Sequence, residues 1–219
     1  MDMTKKEIIR KTTNHIKRLH DKEGTGHDFW HIERVVRNAK KIAKKEGGDL
    51  FVIELAALLH DIADWKFHGG DFLAGSRKAR AWLEKMKVDE NIISQISDIV
   101  RDVSFRGGTS KAKMRTLEGK VVQDADRLDA MGAIGIARTF AYGGYRGREI
   151  YNPRVKPKSF KHYADLKKGM KSGTTINHFY EKLLLLKSSM NTKTGRKMAE
   201  ERHKFMEQFL KQFYKEWNG

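Results

Sequence analysis

Three His-Asp dipeptides stand in this chain, and an imidazole beside a carboxylate can bind a divalent metal ion. We expect His20-Asp21 to be a solvated helix end, while the aspartate of His27-Asp28 has the plainer role of helix N-cap. His60-Asp61 differs, because it follows FVIELAALL, a segment that is apolar on nearly all sides and must be buried. Buried polar groups require partners. The sequence leaves two possible partners open: a metal ion, or a backbone carbonyl that accepts a hydrogen bond from the imidazole.

Two other apolar segments carry polar residues of the same kind. In VVQDADRLDAMGAIGIA, Asp124, Asp126 and Asp129 would repel one another unless a cation or an arginine joined them, and Arg127 can answer one of them. His31 lies on the apolar stripe of an earlier segment that Asp28 can cap. Three interior helices therefore each bring a metal-capable side chain towards the core, which is how helical folds build cation sites.

The elements that must position these residues are predicted to be helices almost throughout. Apolar residues recur at intervals of three and four, and both prolines lie between residues 150 and 160. Thr4 and Glu7 form a capping box for a first helix that ends near Asp21, and Asp49 caps the helix that leads to His60. Further helices are predicted at about 71–86, 89–104, 116–130, 132–142, 175–189 and 193–217, the last burying Phe205, Phe209, Phe213 and Trp217.

Length and composition limit the alternatives. The 219 residues suit one all-α domain, and 39% hydrophobic residues suffice for a core. Because there is no cysteine, a metal must be held by imidazole and carboxylate. No signal peptide or membrane span is predicted, so we expect a cytoplasmic protein. The net charge of +17 attracts phosphates, nucleotides, nucleic acid or acidic lipid headgroups without choosing among them, and solubility alone explains it equally well. The oligomeric state is left open.

Residues 146–173 form a long basic segment that holds both prolines and has no clear periodicity. A loop of this length inside a compact domain is usually functional or disordered. We predict that it is a lid over an anionic substrate.

The ordered motifs HDFWHIERV, LLHDIAD and QDADRLDAMGAIGIAR resemble those of the HD superfamily of metal-dependent phosphohydrolases. The C-terminal sequence, from INHFYEKLLLLKSSM onwards, is similar to that of small stand-alone predicted HD hydrolases. The resemblance spans nearly the whole chain and implies a single helical HD-type domain over residues 1–219. Its HD core would cover about 25–130, followed by the basic loop 146–173 and C-terminal helices at about 175–217.

The resemblance also implies the ligands of a metal ion: His31, His60, Asp61 and Asp126. Mn²⁺ or Mg²⁺ is favoured because phosphate chemistry suits hard cations, although two imidazoles also accept Fe²⁺, Ni²⁺ or Zn²⁺. Asp61 and Asp64 are the catalytic candidates, with simple helix-end polarity as the alternative for Asp64. His27, Lys66 and Arg127 are candidates for contacting substrate phosphate; His27 is equally explained as a loop residue, and the two cations as partners of nearby carboxylates.

The implied activity is metal-dependent hydrolysis of a phosphorylated small molecule. We expect a nucleoside triphosphate to be cleaved to monophosphate and pyrophosphate. Hydrolysis of a phosphate monoester is the alternative on the same fold. A non-catalytic binder of nucleotides or nucleic acid is less favoured, because no helix-turn-helix, zinc finger or aromatic stacking motif accompanies the positive charge. A helical adaptor, the third alternative, would bind no metal.

Overall fold

The computed structural model describes residues 3–21, 28–63, 71, 73–103, 114–158 and 173–219, and within these ranges every regular element is helical. The all-α prediction is therefore confirmed. The α-helices are α1 (Lys5–Leu19), α2 (Phe29–Glu46), α3 (Leu50–Leu59), α4 (Ala74–Lys85), α5 (Glu90–Val103), α6 (Leu117–Asp129), α7 (Gly132–Tyr145), α8 (Asn177–Glu181) and α9 (Lys193–Asn218). Two 3₁₀ turns, Leu183–Leu185 and Lys187–Ser189, stand between α8 and α9.

The chain divides into two compact units. Unit 1 comprises Met1–Phe105 and Ala112–Asp126, and unit 2 comprises Arg106–Lys111 and Arg127–Gly219. The predicted extent of a single domain over residues 1–219, with its HD core at about 25–130, stays a prediction. No helix among the described residues combines the length and apolar character that a membrane crossing requires.

In unit 1, α3 is the central element. It packs against α1, α2 and α5, and eight of its ten residues are buried. The three predicted caps are present: Thr4 and Glu7 form a capping box on α1, Asp28 caps α2 and Asp49 caps α3. Between α2 and α3 the backbone takes positive φ at Gly47 and Gly48, a conformation that favours glycine. These signals end one helix and begin the next within three residues.

In unit 2, α7 packs against α9. The rings of Phe140, Phe179 and Phe209 lie with their centroids 5.7 to 6.2 Å apart and form an aromatic core. The prediction that α9 also buries Phe205 and Trp217 is wrong, since they are 49% and 50% exposed. The buried residues of α9 are instead Gly195, Ala199, His203, Met206 and Leu210.

The single helix predicted at 175–189 is also wrong, because the chain breaks after α8 into the two 3₁₀ turns. Lys182 adopts φ −143° and ψ −56°, which lies outside the α-helical region and interrupts the helix. Beyond that break, Leu183 and Leu186 are buried three residues apart, and a 3₁₀ turn has three residues per turn. The leucines thus reach the core without a continuous α-helix.

Candidate metal centre

His31 is placed by the first turn of α2. The side chain of Asp28 accepts a hydrogen bond from the backbone N–H of His31 at 2.8 Å, which fixes the start of the helix. His31 follows three residues later on the buried face, with 1% of its side chain exposed. The cap and the apolar stripe together direct this imidazole inward.

His60 stands at the C-terminal end of α3, and each of its ring nitrogens has its own neighbour. Nδ1 lies 2.7 Å from the carbonyl oxygen of Ala57, a distance at which it donates a hydrogen bond. This bond fixes the tautomer and leaves a lone pair on Nε2, the usual arrangement in a histidine that binds a metal. Nε2 lies 3.2 Å from Nε2 of His31.

Two carboxylates approach the same pair of nitrogens. Asp61 Oδ2 lies 3.5 Å from His31 Nε2 and 3.6 Å from His60 Nε2. Asp126 Oδ1 lies 3.6 and 3.7 Å from the same two atoms. The ligand atoms of His31, His60 and Asp126 all lie within 4.8 Å of one another. All four residues that were predicted from the sequence as metal ligands therefore converge on one point in unit 1.

The four side chains differ in exposure. Both imidazoles are 1% exposed, whereas Asp61 is 19% and Asp126 is 30% exposed. Solvent therefore reaches the cluster from the carboxylate side. The two imidazoles, by contrast, lie in the core.

Hydrogen bonds among α3, α5 and α6 explain why His60 and Asp126 meet. The backbone N–H of Asp49, at the start of α3, donates to Glu118 in the first turn of α6 at 3.1 Å. From this shared anchor, His60 and Asp126 each lie about two to three helical turns further along their helices. Gln123 on α6 donates to the carbonyl oxygen of Asp102 on α5 at 3.2 Å, which holds the far half of α6 in place.

The donor set suits a divalent cation. Two neutral imidazole nitrogens and two carboxylate oxygens match the ligand preferences of Mn²⁺, Fe²⁺, Ni²⁺ and Zn²⁺, and the carboxylates also suit Mg²⁺. Two imidazole nitrogens with lone pairs 3.2 Å apart repel each other unless a proton or a cation lies between them. The carboxylate negative charge beside them is also best offset by a cation.

The other predicted site residues do not belong to this cluster among the residues that the structure describes. His27, Asp64 and Lys66 lie outside the described residues. Arg127 belongs to unit 2, where its guanidinium donates to the backbone carbonyl of Ser189. The predicted contact of Arg127 with substrate phosphate stays a prediction.

The other two aspartates of α6 lie in the core. Asp124 is fully buried. Asp129 is also buried, and its carboxylate pairs with Arg138 at 3.1 Å. The sequence predicted only Arg127 as a partner for one of these aspartates, so Arg138 is an additional one.

Comparisons with known proteins agree with this geometry. A profile of the HD domain matches residues 29–131, a range that contains all four converging side chains. The chain is 40% identical to the uncharacterized protein YpgQ of Bacillus subtilis, over 90% of this chain and 87% of that protein.

Two solved structures are similar over nearly the whole chain. An HD-superfamily hydrolase from Bacillus thuringiensis has 45% identity and a TM-score of 0.75, covering 99% of this chain and 100% of that one. The structure of Bacillus subtilis YpgQ in complex with ADP has 34% identity in the structural alignment and a TM-score of 0.75, covering 98% and 97% of the two chains.

Proposed function

We propose that this chain, which belongs to the HD superfamily of metal-dependent phosphohydrolases, hydrolyses nucleoside triphosphates to monophosphates and pyrophosphate. The observation that carries the proposal is the convergence of two carboxylates on two buried imidazoles in unit 1, each carboxylate lying within 3.7 Å of both imidazole Nε2 atoms. The ADP bound to Bacillus subtilis YpgQ supports a nucleotide as the ligand. The net charge of +17 favours an anionic substrate.

We further propose that His31, His60, Asp61 and Asp126 hold one Mn²⁺ or Mg²⁺ ion. When bound there, the cation supplies Lewis acidity, which polarises a phosphoryl oxygen and lowers the pKa of water from about 15.7 towards neutrality. His60 contributes Nε2, because its Nδ1 is occupied by the carbonyl of Ala57. Asp61 and Asp126 are the more exposed of the four ligands, so we propose that the substrate phosphate approaches from their side.

The proposed reaction is attack of water on the α-phosphorus. A new P–O bond forms, the bond from the α-phosphorus to the oxygen bridging to the β-phosphorus breaks, and pyrophosphate leaves with the electron pair. A carboxylate accepts the proton of the attacking water. Asp61 and Asp64 are the candidates for this base, and Lys66 and Arg127 are candidates for offsetting the charge that develops on the phosphoryl oxygens.

Elemental analysis of the purified protein tests the metal site. We expect about one divalent ion per chain, because a single cluster of ligands is proposed. Asp61→Ala should lose this ion and at least about 100-fold of the activity. Even residues that only contact a metal ligand change metal affinity or activity by about 10- to 100-fold. Asp21→Ala is the matched control, because it removes the aspartate of another His-Asp pair from an exposed position. Full metal content in Asp61→Ala would falsify the ligand assignment.

A panel of nucleoside tri-, di- and monophosphates with Mn²⁺ or Mg²⁺ tests the reaction. Phosphorus NMR should identify pyrophosphate and a monophosphate as the products. Release of inorganic phosphate from monophosphates would instead establish the phosphomonoesterase alternative. If the metal-loaded protein binds nucleotides or nucleic acid but turns none of them over, the protein is the non-catalytic binder.

A further inference from the structure

Unit 2 contains a cleft of about 220 Å³ that is formed within this unit alone. Its lining includes Tyr151, Pro153, Pro157, Tyr180 and Tyr214, so most of its walls are aromatic rings and proline rings. Flat apolar walls of this kind accommodate a planar ring by stacking and by edge contacts. The volume lies below the 300 to 1,000 Å³ or so of sites that enclose a whole drug-sized ligand, so one planar ring system fits the cleft with its substituents outside.

The wall at Tyr151 is held rigidly. Its ring contacts Phe213, Tyr214 and Trp217 at centroid distances of 5.7, 5.4 and 4.9 Å, with interplanar angles between 78° and 89°. Three edge-to-face contacts restrict rotation of the ring. The cleft is therefore organised before a ligand arrives, which reduces the entropy cost of binding.

Asn177 gives the cleft a fixed polar group. This residue lines the cleft and is 1% exposed. Its Nδ2 donates to the carbonyl oxygen of Val155 at 2.9 Å, which sets the orientation of the amide. Its Oδ1 accepts no hydrogen bond from any residue that the structure describes, so it is available to accept an N–H from a ligand.

The opening of the cleft is positively charged. Lys156 lines it and is exposed, and the segment YNPRVKPK at 151–158 contains three basic residues and no acidic one. Burial first, and then the influence of the neighbouring Tyr180 hydroxyl, raise the pKa of the Tyr214 hydroxyl, so the phenol stays neutral and adds no negative charge. An anionic group on the ligand is favoured at Lys156.

We propose that this cleft binds a nucleoside phosphate, with the base against the tyrosine and proline rings, a base N–H donating to Asn177 Oδ1, and the phosphate beside Lys156. A planar ring with N–H donors and an attached anion is the ligand chemistry that these three features select together. The proposal concerns unit 2 and stands independently of the metal cluster in unit 1. We assign the nucleotide as an effector that unit 2 binds by itself.

Calorimetric titration in excess EDTA tests the proposal without turnover and without the metal. The probes are AMP, adenosine, which lacks the phosphate, and ribose 5-phosphate, which lacks the base. We expect AMP to bind more tightly than either fragment. Lys156→Glu should weaken AMP by about fivefold, the upper end for loss of an exposed ion pair, because it also introduces a repulsive charge, and it should weaken adenosine much less. Lys193→Glu is the matched control, an equal charge change at an exposed position of the same unit that does not line the cleft.

A second pair of variants tests the base contact. Asn177→Leu should weaken AMP and adenosine by about tenfold, the loss of one hydrogen bond, and leave ribose 5-phosphate unchanged. Because Asn177 also bonds to Val155, circular dichroism must show that this variant folds. Tyr180→Phe, at a partly exposed position, alters the hydroxyl pair without a folding risk of that kind and should weaken AMP by a few fold.

Steady-state kinetics then test the assignment as an effector. We expect Lys156→Glu to leave KM unchanged while AMP binding is weakened. A KM raised by the factor by which AMP is weakened would identify the bound nucleotide as substrate instead. The proposal is overturned if wild-type protein binds AMP no better than ribose 5-phosphate in EDTA, or if Lys156→Glu and Tyr180→Phe both bind AMP as wild type does. Metal content and turnover do not enter these criteria, so failure here is distinct from failure of the proposed reaction.

Discussion

His60 satisfies two requirements with one ring. The sequence left open whether a buried imidazole here would bond to a backbone carbonyl or face a metal, and the structure shows that the alternatives are compatible. Nδ1 bonds to Ala57, and Nε2 faces His31 and the two carboxylates. The carbonyl bond favours folding, and the same bond selects the tautomer that a metal requires. A buried histidine with a backbone partner is therefore no argument against a ligand role.

Substitutions at His60 should separate its hydrogen bond to the backbone from its role as a metal ligand. Asparagine places an amide N–H near the position of Nδ1 and has no atom at Nε2. We expect His60→Asn and His60→Ala both to lose the metal, while Asn retains about 1 kcal/mol of stability that Ala loses, since Ala leaves the carbonyl of Ala57 without its donor. Urea unfolding in EDTA measures the difference. Equal stability of the two variants would show that the carbonyl bond contributes nothing to folding.

At Glu181 and Arg148, the effect of burial on the pKa is larger than the effect of electrostatic attraction. Burial raises the pKa of Glu181 despite the hydrogen bond from the Lys158 backbone N–H and the attraction of Arg148 and Lys158. Burial likewise lowers the pKa of Arg148, which also feels Arg146. Both shifts disfavour the charged form. Desolvation therefore outweighs attraction between these two half-buried groups.

Replacing Glu181 by glutamine should consequently alter the pH dependence of stability. The folded protein binds the Glu181 proton more tightly than the unfolded chain, whose value is 4.5, so wild-type stability falls as pH rises from 4.5 through the raised folded pKa. Glutamine keeps an acceptor for the Lys158 N–H and does not titrate. Urea unfolding from pH 4.5 to neutrality should show Glu181→Gln gaining stability relative to wild type as pH rises. A constant difference across that range would contradict the assignment.

At the scale of elements, α3 determines the position of the cluster because both of its ends are fixed. At its start, Asp49 Oδ1 accepts from the backbone N–H groups of Phe51 and Val52 at 2.8 and 3.4 Å. At its end stand His60 and Asp61. The body between them is buried against α1, α2 and α5. The cap therefore contributes to the stability of the helix, while the packing of its buried body holds the cluster end in place.

Removing this cap should destabilise the protein without removing the metal ligands. We expect Asp49→Ala to cost about 1 kcal/mol, up to about 2, because two backbone N–H groups lose their acceptor. Asp49→Asn is the matched control, since asparagine caps as well as aspartate. Denaturant unfolding measures both, and metal content at saturating Mn²⁺ should be unchanged in each. If Asn costs as much as Ala, the charge of Asp49 matters and the cap does not.

The sequence predicted elements well where local signals agree. Thr4, Asp28 and Asp49 were predicted as caps and cap their helices, because an N-cap depends on residues within one turn. The region 175–189 was predicted as one helix because its leucines fit both a 3.6- and a 3-residue repeat, and only the backbone at Lys182 decides between them.

The cleft of unit 2 was not found from the sequence at all. Asn177 meets Val155 across 22 residues, and no periodic pattern connects them. The positive charge of the segment 146–173 predicts a lid, but nothing in the sequence predicts that its proline rings form walls beside Tyr151. The part of this segment from 159 to 172 lies outside the described residues, so the lid stays a prediction. Contacts between distant segments are decided by packing, which a single sequence does not display.

At the scale of the whole molecule, the proposed metal site joins parts of the chain that are far apart in sequence. His31, His60 and Asp126 come from α2, from the end of α3 and from α6, and an unfolded chain does not bring them together. A ligand that binds only the folded form stabilises it by mass action. The cation is therefore expected to report on the folding of unit 1 as well as to support hydrolysis.

Hydrogen exchange followed by mass spectrometry measures this linkage. At a Mn²⁺ concentration about 100 times the Kd, the folded form gains about 2.7 kcal/mol, so amides of α2, α3 and α6 that exchange only by unfolding should slow by about 100-fold. Asp61→Ala should show no such slowing, whereas Asp21→Ala, whose exposed carboxylate lies at the end of α1, should behave as wild type. Equal protection by Mn²⁺ in Asp61→Ala and wild type would mean that the ion binds elsewhere on the molecule, and the three helices would then owe their arrangement to side-chain packing alone.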